Sequence, residues 1–133
     1  MISVIVPTIV PIYAALFAVM LVFLSISVAN TRREMQVTIG DGGNKILLRR
    51  IRVQGNFTEY VPMALILFTF IEMQGWPRWL VHGLCLVLLA ARLVHAYGVG
   101  REPEIIPIRA TGMATTALLL ITAAGLLLFS AVR

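Results

Sequence analysis

Charge is scarce in this 133-residue chain: Asp, Glu, Lys and Arg make up 13% of it, while 59% is hydrophobic and the mean hydropathy is +0.93. A water-soluble domain of this length has too little interior to hide so much apolar surface. That excludes a soluble globular fold and leaves an integral membrane protein. Cysteine is nearly absent too. Cys85 is the only one, so no internal disulfide forms, and with no Cys/His cluster around it the residue reads as packing and the chain as metal-free. The "GDGG" of Gly40–Gly43 is not followed by Gly-Lys-Ser/Thr, so it is a flexible turn and not a phosphate loop. No aromatic-basic platform is present, which argues against a nucleic-acid partner. The apolar N-terminal segment lacks the basic start and small-residue cleavage site of a signal peptide, and reads as a retained helix.

Long uncharged runs are what the sequence does have. Met1 to Thr31 and Ala110 to Val132 contain no Asp, Glu, Lys, Arg or His. A helical span needs roughly 20 mostly apolar residues, so each run supplies one. Two further spans fill the middle, divided by the short "QGWP" turn. The expectation is a single all-α membrane domain, 1–133, forming a four-helix bundle with spans at about 4–29, 47–73, 77–98 and 109–131. Arg32, Arg33, Lys45, Arg49, Arg50 and Arg52 cluster around the first loop and Arg92, Arg101 and Arg109 around the third. The opposite side has Arg78 and Arg133. Basic loops stay in the cytoplasm, which puts both termini outside. The net charge of +5 then reads as topology and contact with anionic membrane lipid. Glu72, Trp76 and Trp79 fall at the outer interface, where the tryptophans fit an aromatic belt.

One stretch resists this pattern. "RVQGNFTEYVP", Arg52 to Pro62, opens the second helix with polar groups and runs into apolar "MALILFTFI". On a helix Arg52, Asn56, Glu59 and Tyr60 share one face, and Met63, Ile66 and Phe70 continue it. From Arg52 to Glu59 the rise is about 10 Å, a length suited to an elongated small molecule with several charges. Arg52 can take a carboxylate, Glu59 an ammonium and Asn56 an amide. Two readings fit these residues. Interfacial arginines snorkel and fix topology, and Asn56 and Glu59 can bond neighbouring helices. Ionisable groups inside a membrane also mark binding sites. His82 stands alone on the far half of the third helix and reads as structural, whereas His95 shares its end with Arg92 and Tyr97.

At these residues the chain resembles the MAPEG family, the membrane-associated proteins of eicosanoid and glutathione metabolism, and within it a small bacterial subgroup. The family's second-helix pattern, Arg-x-x-x-Asn-x-x-Glu with a proline three residues on, is met by Arg52, Asn56, Glu59 and Pro62. Gln54 and Tyr60 match the leukotriene-synthase branch, as do the paired Arg32 and Arg33 that end the first helix. "ARLVHAYG" resembles the close of the third helix, with Arg92 shared and His95 where branches carry histidine or tyrosine. "PIRA" resembles the start of the fourth, placing Arg109 at the thiolate-stabilising position; Val99 stands where several branches have a tyrosine.

The resemblance implies a homotrimer in the bacterial inner membrane. Glutathione would be a substrate held between subunits by Arg32, Arg33, Arg52, Gln54, Asn56, Glu59, Tyr60, Arg92 and His95, with Arg109 catalytic and no metal. Lipophilic electrophiles would enter from the bilayer. The activity implied is a glutathione transferase or peroxidase, and the alternative is a non-catalytic scaffold binding lipid or glutathione.

Overall fold

The computed structural model describes residues 5–132, so Arg133 and the expected start of the first span at residue 4 lie outside the described part. Four helices make up the bundle: α1 (Val10–Met35), α2 (Lys45–Met73), α3 (Arg78–Gly100) and α4 (Ile106–Val132). The all-α expectation holds, and the bounds move for local reasons. α1 begins at Val10 because the Glu72 carboxylate accepts the backbone N–H groups of Thr8 (2.6 Å), Ile9 (2.7 Å) and Val10 (2.9 Å). Those are the donors that a helix start leaves without partners. Glu72, at the end of α2 where the outer interface is expected, is therefore buried as a cap on α1. At the other end Gln36 adopts a left-handed conformation (φ 55°), its N–H and that of Val37 closing on the carbonyls of Arg33 and Arg32. Asn44 caps α2 by accepting from the Leu47 N–H at 2.9 Å. Gly75 (φ 77°) and Pro77 make the "QGWP" turn. Pro107 sits in the first turn of α4, where a missing N–H costs nothing.

Among these helices α1, α3 and α4 are long and apolar enough to cross a membrane. Polar residues dilute the first half of α2. Its ends are nevertheless tied to the ends of α1: Glu72 holds the start of α1, while Arg50 donates to the Thr31 hydroxyl and the Ser27 carbonyl near its finish. α2 thus runs antiparallel along all of α1, and a bilayer crossed by one is crossed by both. The Trp76 indole donates to Ser130 Oγ at 3.2 Å, setting the α2–α3 turn beside the end of α4. Residues 36–44 and 101–105 consequently share the opposite end.

The apolar core is built from Phe17, Phe57, Phe68, Leu88 and Ala123, with Cys85 fully buried among them. His82 Nδ1 lies 2.9 Å from the Tyr13 hydroxyl, a satisfied structural histidine as the sequence suggested. α3 and α4 approach most closely at two glycines. A Cβ on Gly98 would fall 2.6 Å from the Arg109 nitrogen, and one on Gly112 would fall 2.7 Å from the Ala91 carbonyl oxygen. Small residues at these points let the two backbones approach this closely.

Candidate functional site

A cavity of about 270 Å³ lies at the end of the bundle that carries the two loops. α2 lines it with Lys45, Leu48, Arg49, Arg52 and Asn56, α3 with His95 and Val99, the third loop with Glu104 and α4 with Arg109. The α2 residues lie at i, i+3, i+4, i+7 and i+11, one helical face. Four cations face a single carboxylate, a surplus of three positive charges with the imidazole counted neutral. A cleft of that sign gathers and holds anions.

Arg92 backs the inner wall, behind Asn56 and His95. It is 1% exposed, and its Nη2 donates to Asn56 Oδ1 at 2.6 Å and to His95 Nδ1 at 3.2 Å. Arginine can only donate, so Nδ1 of His95 accepts and the ring proton sits on Nε2. Asn56 Nδ2 reaches Met113 Sδ at 3.6 Å, which fixes its amide with the oxygen toward Arg92. The buried Nε and Nη1 of Arg92 and Nε of Arg49 have no partner among the described residues.

The outer wall is ionic. Arg109 Nη1 lies 3.0 and 3.2 Å from the two Glu104 oxygens, and Arg49 Nη1 lies 3.6 Å from one of them. Arg52 and Glu59 approach only to 4.0 Å, with both side chains more than half exposed.

The structure brings Arg52, Asn56, His95 and Arg109 to the cavity and sets Arg92 directly behind it. Other expected site residues stand elsewhere in the single chain. Gln54 donates to Ser25 on α1, Arg32 donates to the Gly40 carbonyl within the first loop, and Arg33 is exposed. Glu59 points outward, and Tyr60 is half-buried one turn beyond Asn56. Three charged lining residues had no assigned role beyond topology: Lys45, Arg49 and Glu104. The helical period carried the signal for two of them. Extending the face from Arg52 toward the N-terminus, instead of toward Tyr60, gives Arg49 and Lys45. Glu104 lies in a loop, where no period applies.

Fold and cleft together define a helical membrane protein with a cationic cleft between its helices at the loop end of the bundle. The chain belongs to the MAPEG family, whose model matches residues 10–129. It is 42% identical over 116 residues to the inner membrane protein YecN of Escherichia coli K12, covering 86% of this chain and 87% of that protein. The YecN protein of Escherichia coli O6:H1 is similar to the same extent.

Proposed function

We propose that this protein is a glutathione transferase of the bacterial inner membrane, joining the glutathione thiolate to hydrophobic electrophiles that arrive through the bilayer. The observation that carries the reading is the cavity itself: Arg49, Arg52, Asn56, His95 and Arg109, from three helices, around a space with surplus positive charge. Glutathione has two carboxylates, an ammonium, amides and a thiol. The α2 arginines would take carboxylates, Glu59 the ammonium and Arg109 the sulfur as thiolate, which a neighbouring cation favours over the thiol. Catalysis would then be proximity and charge stabilisation with no covalent enzyme intermediate. Reduction of lipid hydroperoxides would start from the same thiolate.

The site is proposed to be completed by a neighbour in a homotrimer. Glu59 lies about 21 Å from the Met73 end of α2, inside a hydrocarbon layer about 30 Å thick, yet its side chain is 53% exposed on one subunit. A charge left against lipid is costly, and a second subunit covering Arg52 and Glu59 removes that cost. Arg32 and Arg33 would reach the site across that contact. The loop end is proposed to face the cytoplasm, a reading its arginines support.

One observation favours the second reading, a scaffold that binds without turnover: Glu104 already neutralises Arg109. Purified protein with glutathione and a chromogenic aryl halide separates the two. Steady turnover that falls at least tenfold in Arg109→Ala, with binding reduced much less, is the expected result. Glutathione binding without turnover assigns the scaffold role, and equal loss of both contradicts the part given to Arg109.

A further inference from the structure

We propose that Glu104 competes with the anionic ligand for Arg49 and Arg109 and so sets which anions the cleft admits, an inference that rests on the glutathione reading. Arg49 on α2 and Arg109 on α4 converge on this one carboxylate, at 3.6 Å and 3.0 Å. The geometry is unequal. Both Glu104 oxygens lie within 3.2 Å of the Arg109 Nη1, while Arg49 has a single long contact and a buried Nε with no partner. Arg49 is therefore held short of satisfaction, and a guest carboxylate or thiolate entering beside it gains more than the loop carboxylate does.

The surroundings allow the exchange. Glu104 is 28% exposed in its side chain, so it has a path to water. The residue that follows it is pinned at both its backbone groups, the Ile105 N–H to the Gly98 carbonyl at 3.1 Å and the Ile105 carbonyl to the Arg109 N–H at 3.0 Å. Displacement is thus a rotation of one side chain and needs no opening of the loop. A guest must carry an anion able to replace a carboxylate at these arginines; a neutral lipophile cannot, and Glu104 keeps it from the polar end of the cleft.

The test compares the full-length protein with Glu104→Gln and Glu104→Ala, by glutathione titration calorimetry and by the rate at which phenylglyoxal modifies Arg49 and Arg109, read by peptide mass spectrometry. Both variants are expected to bind glutathione roughly fivefold tighter, the scale of a partly exposed ion pair removed from competition. Both arginines should also react several-fold faster without ligand. Tight binding by the wild type with unchanged or weaker binding by both variants overturns the inference and leaves the glutathione reading standing. Unchanged arginine reactivity overturns it as well. Failure of glutathione to bind any of the three proteins overturns that reading and this one with it.

Discussion

Asn56 sits at the junction of three helices, accepting from Arg92 on α3 and reaching Met113 on α4 while its edge faces the cavity. Its two roles in the sequence, helix bonding and ligand binding, are therefore both open to it and draw on the same amide. Asn56→Ala removes the acceptor of a buried guanidinium, and hydrogen bonds to charged groups are worth about 1.5–3 kcal/mol. The expected outcome is that much loss of stability in a detergent unfolding titration, together with weaker glutathione binding. Glu72 makes a cleaner case because it is remote from the cavity. Three backbone N–H groups converge on its carboxylate, so Glu72→Ala should destabilise by about 2–3 kcal/mol and leave the affinity of the remaining folded protein unchanged. A large affinity change there would show that the two ends of the bundle are coupled.

Elements were largely legible in the sequence, because uncharged runs and Gly/Pro punctuation reflect local physics. The long uncharged stretches became α1 and α4, and "QGWP" became a turn. The start of α1 was not legible, since the acceptor that sets it comes from Glu72, more than sixty residues away. Half of the cleft was readable for a similar reason. Arg52 and Asn56 lie on a periodic face, but which direction that face continues depends on how α4 packs. That packing rests on glycine. Gly98→Ala forces a methyl against the backbone of Arg109, and overpacking of this kind costs about 1–3 kcal/mol; it should also lower turnover by shifting Arg109. Gly125 has open space around it, so Gly125→Ala should be neutral or stabilise by up to about 1 kcal/mol. Thermal unfolding of the two variants in detergent should therefore move in opposite directions or differ by more than a degree or two.

For the molecule as a whole, the two loops share one end of the bundle, and the α2–α3 turn lies at the other. A cysteine at exposed Gly40, in a Cys85→Ala background, should react with an impermeant maleimide only in inverted membrane vesicles; labelling of intact spheroplasts would reverse the proposed orientation. Cationic surface concentrated at one end, half-exposed Arg52 and Glu59, and an apolar exterior are the features on which the proposed meeting of a charged guest from the water and a greasy one from the bilayer rests. The claim beneath this is that the cleft between α2, α3 and α4 holds glutathione. Titration calorimetry of purified protein with glutathione tests it most directly. Saturable binding that weakens with added salt and falls at least tenfold in Arg52→Ala is the predicted result; absence of binding, or binding indifferent to Arg52, would contradict it.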